Sequence, residues 1–342
     1  MIYKMARILI LLLSFIYLKT PVSAQKYTFN RPKMGSPFII TAYADDSIKL
    51  LNIIDLAYKR VDTLNQIFSD YLATSEINTL CKTQEPFIWQ PISKDLFHVL
   101  MLSKEAYEAS GGAYDVTVAP LVRLWRKARK EKILPDETAL KAALSKVGFR
   151  HIEIDKSSKM RFYWGGVSLD FGGIVKGYAA QEVVNLLTVN GFPICFADAG
   201  GDLAMGAPPI SKDTLTSGWR IGVSVPNDEN QIMPQFLYLQ NQAVATSGDL
   251  YQSVEINGKT YSHIVNPKTG LGLTHRRNVT VIAPDGAQAD WLATACSVLS
   301  IKKAMKLVKK YPNVELLILE NRKGKIKYWQ STGLSKYFRI IA

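Results

Sequence analysis

An α+β fold, built as a single large domain of helices and mainly antiparallel strands, is what this sequence predicts, on three observations. Helical and strand-like hydrophobic periods interleave along the chain without the regular strand–helix–strand rhythm of a parallel sheet. Asn257-Gly258 sits between two alternating runs, a strong local signal for an antiparallel hairpin. The chain has 342 residues, 47% of them hydrophobic and 21% charged. That is enough to bury a full core, and it excludes a disordered polymer, a collagen repeat and a coiled coil.

The elements follow in order. Lys4 and Arg7 precede an apolar run from Ile8 to Leu18, and Val22-Ser23-Ala24 supplies small residues for cleavage. This is the pattern of a secretory signal peptide over residues 1–24, with an uncleaved amphipathic anchor as the other reading. The run falls short of the roughly 20 residues that a membrane span needs. Residues 25–342 then read as one domain working in the periplasm or beyond. Residues 38–44 read as a strand. Ser47 caps a long helix carrying Ile48, Leu51, Ile54, Leu56, Tyr58, Val61, Leu64 and Phe68. A second helix covers about 93–109, opened by Ser93, and a third runs from Pro135-Asp136 to Gly148. Strands at 151–155 and 160–164 precede a glycine-rich turn and a helix over about 176–189. Strands near 194–199, 219–225, 235–239 and 243–246 come next. The end reads strand (278–283), helix (288–299), helix (301–310), strand (314–319) and strand (325–330).

Composition narrows the chemistry. Three cysteines, Cys81, Cys195 and Cys296, are too few for a disulfide scaffold or zinc cluster, and Cys195 and Cys296 sit in apolar runs as small core residues. Four histidines leave little room for a His-based metal cage. The net charge of +13 suits an anionic partner without naming one. Much of it lies in Arg123-Leu-Trp-Arg-Lys-Ala-Arg-Lys-Glu-Lys, which reads as a solvated face. No nucleic-acid partner is expected of an exported chain; peripheral contact with an anionic membrane is the milder reading.

Three segments carry candidate chemistry. Ser168-Leu-Asp-Phe-Gly-Gly-Ile-Val-Lys-Gly-Tyr-Ala runs from a strand through paired glycines into a helix, where unpaired N–H groups and Lys176 could cradle a phosphate. It has neither Walker A nor GxGxxG spacing, so a tight strand-to-helix turn is the plain alternative. Asp290 and Thr294 stand four apart in a helix and share a face. Together they suit Mg²⁺ on substrate phosphates; a dipole-favoured acid and a core threonine are the alternative. His263, at a strand end before Pro267 and Gly270, is a general-base candidate or a hydrogen-bonded structural residue. Asp198-Ala-Gly-Gly-Asp and Ala245-Thr-Ser-Gly-Asp are further small-residue loops of a functional kind.

Taken together, these segments resemble the ApbE family of FAD:protein FMN transferases. The likeness is carried by Tyr114-Asp-Val-Thr-Val-Ala-Pro-Leu-Val-Arg-Leu-Trp, Asp170-Phe-Gly-Gly-Ile-Val-Lys-Gly-Tyr-Ala, Ala199-Gly-Gly-Asp, Ala245-Thr-Ser-Gly, His263-Ile-Val-Asn-Pro-Lys-Thr-Gly and Ala289-Asp-Trp-Leu-Ala-Thr-Ala, in the family's order. Ser69-Asp-Tyr-Leu-Ala-Thr-Ser-Glu-Ile-Asn and Met34-Gly extend it over about residues 30–325. The resemblance implies Mg²⁺-dependent cleavage of FAD and attachment of FMN by a phosphoester to a Thr or Ser of an exported or membrane-bound flavoprotein, with release of AMP. It implies Asp290, Thr294 and the Val175 carbonyl as metal ligands. Met34, Tyr71, Leu72, Ala73, Asp115, Lys176, His263 and Ile264 match FAD-contacting positions, with His263 and Lys176 as the catalytic pair. An FAD pyrophosphatase giving FMN and AMP, and a non-catalytic FAD-binding protein, are the alternatives. Asn266 stands where the family usually has Asp, and Trp291 where it has Ala; Trp291 reads as core.

Overall fold

Eight strands hydrogen-bond in strict chain order to form the central sheet. The structure is a computed structural model that describes residues 24–82, 85–210, 217–226, 228–248 and 253–339. The expected signal peptide lies in residues outside that set, apart from Ala24. The strands are β1 (Gln25–Lys33), β2 (Ser36–Ala44), β3 (Cys195–Asp198), β4 (Leu203–Met205), β5 (Ala243–Ser247), β6 (Arg277–Ala283), β7 (Glu315–Arg322) and β8 (Lys325–Gln330). Each pairs antiparallel with the next. The sheet is therefore a meander, and the described helices and smaller sheets are inserted between its strands, apart from the stretch Thr332–Arg339 that follows the last of them.

The alternation of side chains explains the two cores. Ala243, Ala245, Val279, Val281, Leu316 and Ile318 face the helices. Val244, Ile282, Leu317 and Leu319 point the other way, onto a small three-stranded sheet of Phe338–Arg339, Phe236–Leu239 and Trp219–Ile221. With both faces covered, β6 is buried at every position, its Arg277, Asn278 and Thr280 included. The stretch Thr332–Arg339 docks there too: Leu334 is buried and Phe338 pairs with Leu237.

Among the described residues, the insertion between β2 and β3 holds six α-helices: α1 (Ser47–Phe68), α2 (Glu76–Lys82), α3 (Lys94–Ser110), α4 (Ala119–Glu131), α5 (Glu137–Leu144) and α6 (Val175–Val189). That between β6 and β7 holds α7 (Gly286–Val298) and α8 (Ile301–Val308). Asp46, rather than Ser47, caps α1 by accepting from the Lys49 N–H. Both residue types cap well, and the chain turns helical one position later than the acid. Ile48, Leu51 and Leu56 are exposed, whereas Leu50, Ile53, Ile54, Ala57, Tyr58, Val61 and Leu64 form the buried stripe. Helix α3 opens after Ser93 as its sequence indicates. Helix α5 ends at Leu144, well before Gly148, because the chain tightens into a short 3₁₀ turn at Phe149–His151. Helices α2 and α4 lack a sequence assignment, the first for its shortness and the second for its charge.

Asn257 and Gly258 adopt φ of +53° and +72°, closing the expected hairpin between Ser253–Ile256 and Lys259–Ser262. This hairpin packs its Val254, Ile256 and Tyr261 on Leu121, Trp125 and Ala128 of α4, forming a separate third core. Burial pushes the Cys195 thiol up to about 11 and that of Cys296 to about 12, so both behave as small apolar residues.

Candidate active site

Two glycines bring the site together. A Cβ on Gly177 would lie 2.0 Å from the Gly286 carbonyl oxygen, and one on Gly286 2.1 Å from that of Gly177. Only hydrogen fits at either place, so α6 and α7 touch backbone to backbone. Their contact seats Asp290, buried in α7, against the first turn of α6, where the Gly177 N–H donates to its Oδ2 at 3.1 Å. A helix N-terminus is where a carboxylate or phosphate is best received. One turn on, the Thr294 hydroxyl lies 3.3 Å from the Ser247 hydroxyl. The Gly172-Gly173 turn passes directly over it, since a Cβ on Gly173 would sit 2.7 Å from Thr294 Oγ1.

These groups open onto a cavity of about 1360 Å³. Of the residues singled out by sequence, it is lined by Met34, Tyr71, Leu72, Asp115, Val175, Lys176, His263, Ile264, Asp290 and Thr294. Ala73 is outside the lining: it is exposed, and its carbonyl accepts from Lys82 Nζ at 3.2 Å. Met34 has φ +51° and Gly35 +76°, a tight β1–β2 turn that brings Met34 to the cavity wall. Tyr71 is exposed, its ring held 4.1 Å beneath the Arg126 guanidinium. The Asp115 carboxylate accepts from the Thr117 N–H at 2.9 Å and its hydroxyl at 2.6 Å. Its buried role is thus partly to hold its own 3₁₀ turn. Val175 opens α6 and donates its N–H to the Phe171 carbonyl. His263 and Ile264 follow the hairpin, with the Ile264 N–H donating to Ser262 Oγ at 3.1 Å. Asn266 Oδ1 accepts from the Lys268 N–H, so this side chain shapes the loop beyond His263. Trp291 is buried between Tyr114 and Tyr311, in the core as its sequence reading has it.

The cavity is also lined by acids and arginines that the sequence reading does not name as ligands. Asp198, Asp202, Asp170 and Asp70 line the cavity, as do Arg126 and Arg129. The Asp198-Ala-Gly-Gly-Asp loop stands out in sequence for its small residues, but its nearness to Asp290 is a property of the fold alone. Burial pushes the Asp290 carboxyl well above the usual carboxylate range, and the charge of Asp202 pushes the same way. Asp202 is pushed up to about 7 by burial, against the pull of Lys176. Burial also raises Asp198.

Buried Asp290 and half-buried Asp198 and Asp202, facing one lysine, leave an excess of negative charge that a cation would neutralise. Among the described residues no group of three or more His, Cys, Asp or Glu side chains forms a metal cage. The donors here are instead a carboxylate and a hydroxyl one helical turn apart, hard oxygens that fit Mg²⁺ with substrate oxygens completing its shell. Without divalent cations the raised acids make stability fall as pH rises from about 4 to above 7. The folded chain keeps protons there that the unfolded chain has lost. We therefore expect thermal unfolding in chelator to occur at lower temperature at pH 8 than at pH 5.5. An equal slope in Asp202→Asn would show that this acid is not responsible.

The fold and motifs agree with known proteins. The ApbE family model matches residues 34–318. The chain is 26% identical over 306 residues to a FAD:protein FMN transferase of Klebsiella pneumoniae, covering 87% of this chain and 85% of that one. It is 30% identical over 239 residues to the FAD:protein FMN transferase of Treponema pallidum, covering 67% and 66%. The crystal structure of the ApbE protein from Thermotoga maritima superposes with a TM-score of 0.81 at 26% identity, covering 92% of this chain and 100% of that one. With a mixed, mainly antiparallel architecture shared over nearly its whole length and a family match across the cavity-forming segments, this chain belongs to the ApbE family.

Proposed function

We propose that this chain is a Mg²⁺-dependent FAD:protein FMN transferase, which attaches FMN through a phosphoester to a Thr or Ser hydroxyl of an acceptor flavoprotein and releases AMP. The carrying observation is the convergence of Asp290, Thr294, Lys176 and the Gly172-Gly173 turn on one cavity of about 1360 Å³. That volume exceeds the roughly 300–1,000 Å³ of ordinary small-molecule sites and suits a dinucleotide with part of a second substrate. The relatives' names supply the chemistry by analogy.

Phosphoryl transfer gains chiefly from positioning and charge neutralisation. Bound Mg²⁺ would supply the neutralisation of the diphosphate oxygens. Asp290 and Thr294 would hold that charge in place, and the helix contact at Gly177 fixes the carboxylate. Lys176, on the first turn of α6, reaches the same oxygens as a point charge. His263 takes the proton from the acceptor hydroxyl as its oxygen bonds to the FMN phosphorus. The bond from that phosphorus to the bridging oxygen breaks, and AMP leaves with it. We expect His263→Gln to lower transfer by about 10²–10⁴-fold. A rate near wild type would remove His263 from the proton transfer.

Residues 1–24 support an exported location and hence an exported or membrane-bound acceptor. Incubation with FAD, Mg²⁺ and a Thr-bearing acceptor peptide tests the whole reading. Flavin fluorescence on the peptide with equimolar AMP is the expected result. Free FMN without labelling would make the chain a pyrophosphatase, and unaltered bound FAD a binding protein.

A further inference from the structure

A second recess, of about 240 Å³, shares no lining residue with the large cavity. Asn78, Cys81 and Lys82 of α2 form one wall, Arg123 of α4 another, and the chain from Gly166 to Ser168 a third. Its size is several times the roughly 30 Å³ share of one water and below the roughly 300–1,000 Å³ of drug-sized ligand sites. It therefore suits a ligand of a few heavy atoms.

The walls hold no acid. Among the described residues no ion pair involves Arg123, Lys82 or Lys146, whereas Arg60, Arg126, Arg161 and Arg277 each have a carboxylate partner. Lys146 stands at the rim, since a Cβ on Gly166 would lie 3.0 Å from its Nζ. Arg123 Nη2 donates to the hydroxyl of buried Ser168, which ties the guanidinium to the wall. Lys82 Nζ has a neutral partner, the Ala73 carbonyl at 3.2 Å. Asp170, whose carboxyl feels the Arg123 charge, lines the large cavity and lies 3.8 Å from Arg126. Like charges gathered without a counter-charge repel, and an anion between them removes that cost.

The donor set selects the anion. The Asn78 amide is committed to the Ser69 and Leu72 carbonyls, so charge dominates recognition. A guanidinium fork, an ammonium and a hydroxyl that keeps its own O–H to donate match the several oxygens of a tetrahedral oxyanion. We propose that this recess binds one phosphate-class oxyanion between Arg123, Lys82 and Ser168, at a site separate from the large cavity. Inorganic phosphate and the headgroup of an anionic phospholipid present the same group. Trp164, 62% exposed and two residues before Gly166, reaches a lipid interface only in the second case. The site does not depend on the transferase reading.

Cys81, in the wall, is the reporter. It is half-buried whereas Cys195 and Cys296 are fully buried, and burial pushes its thiol up to about 11. Its modification by the neutral reagent methyl methanethiosulfonate is followed by mass spectrometry at mildly alkaline pH, on FAD-loaded protein so that the large cavity is filled. Millimolar phosphate is expected to slow the reaction about fivefold or more relative to chloride at equal ionic strength. Arg123→Gln and Lys82→Gln are each expected to remove that protection, and Lys130→Gln, an equal charge loss at an exposed position outside the recess, to keep it. FAD affinity and thermal unfolding report that the variants are folded; if Arg123→Gln unfolds, Lys82→Gln decides.

Sedimentation with phosphatidylglycerol vesicles, against phosphatidylcholine, separates the two sources. Loss of phosphatidylglycerol binding in Lys82→Gln and Trp164→Ala, with Lys130→Gln unaffected, assigns the headgroup. Protection by inorganic phosphate, with vesicle binding indifferent to these changes, assigns the free ion. The proposal is overturned if phosphate protects no better than chloride and vesicle binding ignores Arg123 and Lys82. Protection that survives both substitutions overturns it as well, because the anion then sits elsewhere.

Discussion

Replacing Asp290 by Asn is expected to lower FMN transfer by at least about 10³-fold, with little cost to folding. If Asp290 holds the cation as proposed, the substitution removes about 4 kcal/mol of charge stabilisation at the phosphates, by the scale on which 1.36 kcal/mol is tenfold in rate. An amide oxygen can still accept from the Gly177 N–H, which now bonds the carboxylate at 3.1 Å. The buried carboxyl is already held well above its ordinary range by burial and by Asp202. Neutralising it relieves that repulsion, so the variant should be at least as stable as wild type in chelator. Thr294→Ala removes a neutral donor and should lose less activity. Steady-state rates of AMP release and peptide labelling, read beside thermal unfolding, check both statements. A larger loss for Thr294→Ala than for Asp290→Asn would reverse the ranking of the two ligands.

Adding one methyl group at Gly177 is expected to destabilise the fold by about 3 kcal/mol or more. The new Cβ would stand 2.0 Å from a backbone oxygen and 2.9 Å from Asp290 Cβ, and neither can swing aside as a flexible side-chain end would. The helices must separate, which opens the core around Ala179, Ala180, Ala289 and Ala293 and pulls the carboxylate from the α6 terminus. Gly177→Ala should therefore lose Mg²⁺-dependent activity together with stability, whereas Asp290→Asn loses activity alone. Urea unfolding gives the stability change. A midpoint unchanged from wild type would mean that α6 and α7 are not in backbone contact.

Much of the architecture is legible in the chain because its cues are local. The Asn257-Gly258 turn, the Ser93 cap and the strand read at 278–283 each depend on neighbours in sequence, and each is present in the structure. The exact face of α1 is less legible. Ile48, Leu51 and Leu56 are apolar yet exposed, and only the partners of α1 decide which stripe is buried. Asp290 and Thr294 can be paired from a spacing of four, and the structure turns both into the cavity. Asp202, in contrast, comes from a different loop and meets Asp290 only because β3 and β4 lie beside α6 in the folded chain. Arg129 is the sharpest case. In sequence it is one of several cations in a run that looks solvated. In the fold, the same helix buries Trp125 on one face, sends Arg126 and Arg129 into the cavity from the next, and leaves only the third to water.

The proposed transfer depends on a cation held by Asp290 and Thr294 against the diphosphate of bound FAD. Diffraction from crystals soaked with FAD and Mn²⁺, the anomalous stand-in for Mg²⁺, tests it most directly. The expected result is one strong anomalous peak at ordinary metal–oxygen distance, about 2.0–2.3 Å, from an Asp290 carboxylate oxygen, Thr294 Oγ1 and a diphosphate oxygen together. A peak elsewhere, or a diphosphate seated in the cavity with no metal between it and Asp290, would contradict the assignment.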